Sequence, residues 1–453
     1  MDHLDRLAAF AAGTQAGDIP EAALARTRLI LIDSLGAILG GMAEPEMRAL
    51  AARARMGDPG PARLLGTGRR GGAAQAAFLG GTAGTALEMD EGSQFARGHP
   101  GMHSVPAALA AAGPETEAAD LLSALTLAYE VGARVGIASD LRASTHPHGT
   151  WGTIAAAVAV ARLMSADAGA MRTAIGMAAT LGLATSRRTM LEGATVRNSF
   201  TGFACQTGVL IGDMLAAGFS AGHDDVAHVF GQVISERYDP AALTQDLGHR
   251  WEVSRNYFKL HACCRFNHAA LDALDRLDPR PRAEDVARIE VETYALAVEL
   301  SDPAPETTLG ARFSLPFAMA TALVTGQTGV ESFAPHRLQD PAIRALAARV
   351  SLYEDPAMTA CLPDQRPARV RVHLHDGRVL EAATETNRGD WSDPYTERDL
   401  RAKYDSLARR LWAPGDADAV WQAAIALGSG SAAPLFGAID RAEAGLAARN
   451  TQS

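Results

Sequence analysis

Hydrophobic positions recur every three to four residues through most of the N-terminal half of the chain. In GDIPEAALARTRLILIDSLGAILGG, Leu29, Ile32, Leu35 and Leu39 share one helical face, with Asp18 and Pro20 as start signals and paired glycines as a stop. ETEAADLLSALTLAYEVGARVGIASD repeats the pattern, with acids in its first turn where the helix dipole favours them. TIAAAVAVARLM and ADAGAMRTAIGMAATLG are packed with Ala and Gly, which lets helices approach closely and predicts an interior bundle. Near residue 285 the period drops to two. VARIEVETYAL alternates Ile289, Val291 and Thr293 with Arg288, Glu290 and Glu292, a half-buried strand. ARVRVHLHDGRVLEAA alternates Val370, Val372 and Leu374 with Arg371 and His373, turns at Asp376-Gly377, and predicts a hairpin.

RFSLPFAMATALVTG and DPAIRALAARV return to helical spacing between these strands, as do TERDLRAKYDSLARRLW and the C-terminal tail beyond them. The expected fold is mainly α with an inserted α+β domain: a helical domain over residues 1–258, an α+β lid over 259–388, and a helical C-terminal part over 389–453.

A chain of 453 residues fits roughly two to three domains. The net charge of −10 argues against nucleic acid or an anionic membrane as the main partner. The N-terminus carries acids and lacks an apolar core, so no secretory signal is read there, and a cytoplasmic location is expected. Four cysteines, with Cys263 and Cys264 adjacent and no CxxC, make neither a disulfide framework nor a structural zinc site.

Four stretches place ionisable residues where the surrounding pattern predicts burial or a loop. EMDEGSQFARGHPGMHSVP brings Glu88, Asp90 and Glu91 close to His99 and His103 between two Ala-rich helices. A carboxylate beside an imidazole fixes one tautomer and raises its basicity, as a general base requires. SDLRASTHPHGTWGT sets His146 and His148 before a helix N-terminus, whose free N–H groups suit a carboxylate or phosphate. MLEGATVRNSFTG carries Arg197, and YFKLHACCRFNHAALDAL carries Lys259, His261, Arg265 and His268 at the domain junction, where clefts favour ligands. The four histidines of GHPGMH and HPHG raise a zinc hydrolase as an alternative. The His-Pro-His spacing suits a single ion poorly and there is no HExxH, so no metal is expected.

Taken in order, these stretches resemble the MmgE/PrpD family along nearly the whole chain. Leu87 to Glu91 with His99-Pro100 is similar to its LDxDD…HP segment, His146-Pro147 through Gly152 to its HPxxxxG segment, and Arg197 to its basic position before a long helix. Lys259 to His268, Ala311 to Phe317, and the stretch GDWSDPYTERDLRAKY continue the likeness. The resemblance implies a helical domain with a smaller α+β lid, a homodimer, a site in the cleft, no cofactor, and chemistry that moves a proton next to a carboxylate of a small di- or tricarboxylic acid.

On this reading His99 or His146 is the base, oriented by Asp90 or Glu88. Lys259 is the acid, or a carboxylate clamp beside Arg197, and His148 and His268 complete the substrate-binding lining. The chain differs from the family pattern in Glu88 for Asp, Arg197 for the decarboxylase Lys, Phe317 for a Tyr, and His261-Ala262 for Tyr-Pro. The loss of a phenol at Phe317 moves the expectation away from cis-aconitate decarboxylation, toward a dehydratase-type lyase of the 2-methylcitrate dehydratase kind. Epimerisation of an iminodisuccinate-like dicarboxylate is the alternative, and an inactive binding homologue a further one.

Overall fold

The computed structural model describes residues 2–53 and 60–451. Long helices occupy Glu21–Met42, Ala118–Ala138, Trp151–Leu163, Ala168–Leu181 and Ser199–Ala216, where the sequence period predicts them. Ala118–Ala138 is long and apolar enough by composition to cross a membrane, yet it lies inside the bundle, covered in part by Trp151–Leu163. Small residues set the spacing of these helices. A Cβ on Gly41 would fall 1.8 Å from the Ala83 carbonyl oxygen, so the Glu21–Met42 and Ala73–Gly84 helices meet only because glycine stands there. The C-terminal helices Glu397–Ala408, Pro414–Ile425 and Ala433–Asn450 pack back on this first core, which takes in Leu31, Leu125, Ile154, Tyr404, Trp421 and Phe436.

A second core is built around a four-stranded sheet in the order Val379–Thr384, Ala368–Leu374, Val286–Thr293, Val350–Glu354. The first three strands are antiparallel neighbours and the last pair is parallel. The register sets Ile289 opposite Val372 and Val291 opposite Val370, which puts the apolar set on one face, against helices His268–Asp275 and Leu315–Thr325. The other face carries ion pairs such as Glu292 with Arg369 and Arg371. The helical pattern of DPAIRALAARV stops early, at Pro341–Ala347, and Val350–Glu354 is a strand. That strand sits at the sheet edge with alternately half-buried and exposed positions, so it lacks the apolar alternation that marks the others.

The two cores meet at the site. Leu87 and Met89, from the first polar stretch, pack into the second core beside Ala262 to Leu274. An isolated antiparallel bridge between Gly92 and Tyr257 ties the carboxylate stretch to the Lys259 segment.

Candidate active site

The carboxylate stretch is a loop held under backbone strain. Glu88 and Arg97, near its two ends, adopt the left-handed region, at φ +54° and +55°, which non-glycine residues seldom occupy. Between them the chain turns inward, and Glu88, Asp90 and Glu91 are all buried. The loop ends at His99, the N-cap of helix Pro100–Ala111, whose proline at the first position is pre-shaped for a helix start. The amide of Gly101 in that first turn donates to Glu91 Oε1 at 2.8 Å, and the Tyr129 hydroxyl donates to Oε2 at 3.2 Å. Burial, with Asp33 and Asp90 close by, pushes the Glu91 carboxyl up to about 8, so it is a neutral structural acid at neutral pH.

Asp90 and His99 form a dyad. His99 Nδ1 lies 2.9 Å from Asp90 Oδ2 and 2.5 Å from the Glu91 carbonyl oxygen. Both neighbours are acceptors, so Nδ1 carries the hydrogen. Nε2 has no hydrogen-bond partner among the described residues, and in the neutral imidazole it is the free lone pair. Behind the dyad, Lys259 Nζ sits 3.4 Å from Asp90 Oδ1 and 3.3 Å from Glu88 Oε2. Burial alone would lower the Lys259 ammonium, but Asp90 and Glu88 outweigh it and hold it above its ordinary value. Burial likewise opposes ionisation of Asp90, and His99 and Lys259 outweigh it, so Asp90 stays a carboxylate. Glu88 also meets Arg197 NH1 at 2.6 Å, and the two carboxylates and two cations balance.

The remaining histidines crowd around His148. Its ring is edge-on to His146 at 4.6 Å, to His99 at 4.8 Å and to His103 at 5.7 Å. His103 donates from Nδ1 to the His99 carbonyl and accepts the Gly149 amide at Nε2; burial pushes it down to about 4. Its ring lies against Gly152, where a Cβ would come within 2.1 Å of it. His146 and His148 are driven well below the usual imidazole range by burial and by Arg197, so both are neutral. His146 Nδ1 accepts the His148 amide at 3.1 Å; its Nε2 then carries the hydrogen, and the Arg197 Nε at 3.4 Å is a close approach rather than a hydrogen bond.

These groups surround a cavity of about 280 Å³, large enough for a small acid. Glu88, His99, His146, His148 and Arg197 line it, as the sequence predicts for a site. Asp90 and Lys259 stand one layer behind the wall and act through His99 and Glu88. His268 does not line the cavity: its Nδ1 takes Arg265 NH1 at 2.8 Å and its Nε2 donates to the Cys263 carbonyl at 3.2 Å, which leaves it no capacity for a ligand. Phe317 is also absent from the lining. It is buried in the second core against Phe333.

Sequence reasoning missed Tyr257, Arg366, Phe313 and Phe266, which also line the cavity. Tyr257 had a signal. It precedes Lys259 by two residues in the same polar stretch. A Cβ on Gly92 would fall 2.4 Å from its hydroxyl, so only glycine lets the phenol lie there. Burial, opposed by Lys259, Arg366 and Arg265, pushes that phenol up to about 12, so it is a proton donor at neutral pH.

One metal arrangement is geometrically open. Donor atoms of Asp90, His99 and His148 lie within 4.8 Å of one another. An ion there would compete with Lys259 for Asp90 and would need the Nδ1 hydrogen of His99 displaced if it bound at that nitrogen.

A carboxylate–imidazole dyad and an arginine-lined cavity, set between a helical core and an α+β core, make a built site for a small anionic molecule. Residues 5–237 match the MmgE/PrpD N-terminal domain and residues 261–427 the MmgE/PrpD C-terminal domain, so the chain belongs to the MmgE/PrpD family. It is 28% identical over 436 residues to the cis-aconitate decarboxylase-like protein oryM of Aspergillus oryzae, covering 86% of this chain and 87% of that protein. It is 23% identical over 434 residues to cis-aconitate decarboxylase of Aspergillus terreus, 88% of each chain, and 23% identical over 367 residues to the Mus musculus enzyme, 74% of this chain and 72% of that one.

Proposed function

We propose that the protein is a cofactor-independent, dehydratase-type lyase acting on a small di- or tricarboxylic acid. The observation that carries this reading is the Asp90–His99 dyad, with Nδ1 protonated and Nε2 free, in the wall of a cavity lined by Arg97, Arg142, Arg187, Arg197, Arg265 and Arg366. His99 Nε2 takes the proton from the carbon next to a carboxylate. The electron pair left on that carbon is delocalised into the carboxylate as an enolate-like charge, which Arg197 stabilises. The pair then forms the C=C bond, the C–O bond on the neighbouring carbon breaks, and the leaving hydroxide departs as water with the Tyr257 proton.

A base poised in its acceptor state favours a reaction that begins with proton removal. Decarboxylation begins with C–C cleavage and needs a proton donor. Arg197, standing where the decarboxylase pattern has Lys, does not release a proton near neutral pH, which leaves Tyr257 as the proton donor for either reaction. The names of the relatives support decarboxylation as the second reading. Proton NMR in D₂O with citrate, 2-methylcitrate, cis-aconitate, malate and iminodisuccinate separates the two. New vinyl signals from a hydroxy acid support dehydration. Loss of a carboxyl carbon from cis-aconitate supports decarboxylation, and deuterium exchange with inversion supports an epimerase. An unchanged panel sinks the reading. Stoichiometric zinc in tag-free protein would also overturn it, in favour of a hydrolase.

We further propose that the chain works as a homodimer. Phe203 and Leu210, seven residues apart on the Ser199–Ala216 helix, and Val196 in the turn just before it are all exposed, which suits burial against a second copy. Leu210→Glu is expected to give a monomer by sedimentation; an unchanged mass excludes this face.

A further inference from the structure

The cavity contains a buried cation that no acid neutralises. Arg366 is 4% exposed, and it makes no ion pair among the described residues. Its Nε and NH1 are buried without a hydrogen-bond partner, and NH2 has only a 3.4 Å contact to the Gln94 carbonyl. The other buried lining arginines differ. Arg197 meets Glu88 at 2.6 Å, and Arg265 meets Asp390 at 2.6 Å. A guanidinium cannot shed its charge, and burying one unpaired is strongly unfavourable. The fold nevertheless holds it in place, 5.4 Å from the Phe266 ring and 5.8 Å from the Tyr257 ring. Tyr257 in turn packs edge-on to His99 at 6.2 Å, so one aromatic ring separates Arg366 from the base of the dyad.

We infer that Arg366 is the seat of a second substrate carboxylate, one that does not react. This rests on the reading of the cavity as a site for proton removal beside a carboxylate of a di- or tricarboxylic acid, and it assigns a residue to the second carboxylate. The acid carries one carboxylate next to the reacting C–H, at the Arg197 end, and another a short carbon chain away, past Tyr257. Phe266 and Tyr257 supply a low-dielectric surround in which the charge-assisted hydrogen bonds to Arg366 are strong. A monocarboxylate leaves Arg366 unpaired and is discriminated against for that reason.

The test uses the full chain and two unreactive probes, tricarballylate and propionate, with affinities by titration calorimetry. The wild type is expected to bind tricarballylate far more tightly than propionate. Arg366→Gln should weaken tricarballylate roughly 10- to 100-fold, the range for loss of hydrogen bonds to a charged group, and leave propionate unchanged. The melting temperature without ligand should hold or rise, because an unpaired buried charge has gone. Arg366→Lys should fall between. A folding defect would weaken both probes alike, so a preserved ratio in Arg366→Gln overturns the assignment, as does a wild type that binds both probes equally or neither. The two proposals fail separately. An inert acid panel with Arg366-dependent tricarballylate binding removes the dehydratase reading alone. Turnover of a polycarboxylate by Arg366→Gln at the wild-type KM removes the subsite alone.

Discussion

Two of the buried clusters of charge, one around Arg134 and one around Asp90, are built to different rules. In one, Glu130 Oε1 meets Arg134 Nε at 2.6 Å, and Glu130 Oε2 accepts the Glu252 amide at 2.6 Å. Arg134 spends its remaining N–H groups on the carbonyls of Gln245 and Arg250 at 2.8 and 2.9 Å, with Leu243 at 3.4 Å. Every guanidinium nitrogen has a protein partner. In the other, around Asp90, the inner layer is also paired, as are Arg197 and Arg265 in the cavity lining, but two lining groups are not: His99 Nε2 has no partner among the described residues, and Arg366 Nε and NH1 have none. Buried polar groups are normally satisfied, so the exceptions carry information. The first cluster knits helix Ala118–Ala138 to the 240–255 segment. The second holds open capacity aimed at a ligand.

The largest effect that tests this contrast is on turnover. His99→Gln keeps the ring volume approximately but removes the base, and should lower kcat by about 10³-fold, within the range for general-base loss. Asp90→Asn should do nearly as much, because an amide cannot hold the same imidazole tautomer. The melting temperature of His99→Gln should move by no more than a few degrees. Wild-type turnover in either variant would return the dyad to the structural class.

Arg134→Met should invert that pattern. It strands Glu130 and three carbonyl groups in the core, and removing one partner of a buried pair is worth about 3–5 kcal/mol. A urea titration should show the loss, while the protein that remains folded turns over normally. Equal damage to stability and kcat would mean the two clusters are one network.

Glu91 gives a smaller and pH-dependent effect. Its carboxyl sits at about 8 when folded, against an ordinary 4.5. The folded chain therefore keeps a proton that the unfolded chain sheds between those values. Its contribution to stability is intact below about pH 4.5 and is lost as pH rises toward 8, at about 1.4 kcal/mol per unit. Glu91→Gln lacks that loss. It should match the wild type within about 1 kcal/mol at pH 5 and exceed it by roughly 2–4 kcal/mol at pH 9, by urea midpoints. Parallel pH profiles for the two proteins would show that Glu91 is ionised inside the fold.

Much of this arrangement is legible in the sequence. Period and turn chemistry located the long helices, the hairpin and the switch near residue 285, because those elements bury one face each. The carboxylate and histidine stretches stood out because charge interrupted an Ala-rich pattern. What stayed hidden depends on contacts across the domain junction. Arg366 precedes the Ala368–Leu374 strand in QRPARVRV and looks like one more arginine of a solvated face; its burial comes from Gln94, Tyr257 and Phe266, all distant in sequence. His268 misled for the opposite reason. Its spacing from Lys259 fits a family pattern, yet Arg265, three residues before it, occupies its ring.

Phe317 gives the smallest effect, and it decides which phenol matters. From the sequence, phenylalanine there means a missing acid. In the fold Phe317 is 1% exposed, its ring centroid is 6.2 Å from that of Phe333, and it does not line the cavity, where Tyr257 does. Phe317→Tyr would bury a hydroxyl among apolar side chains. It should lower stability by about 1–3 kcal/mol, the penalty for an unpaired buried hydroxyl, and leave kcat and product unchanged. Tyr257→Phe should instead lower kcat by about 10²-fold with KM nearly fixed, because it removes a proton donor and little binding surface. If Phe317→Tyr raised kcat or turned the product toward decarboxylation, the second core would have to open onto the cavity during turnover, and the division between a reacting wall and a purely structural core would fail at that residue.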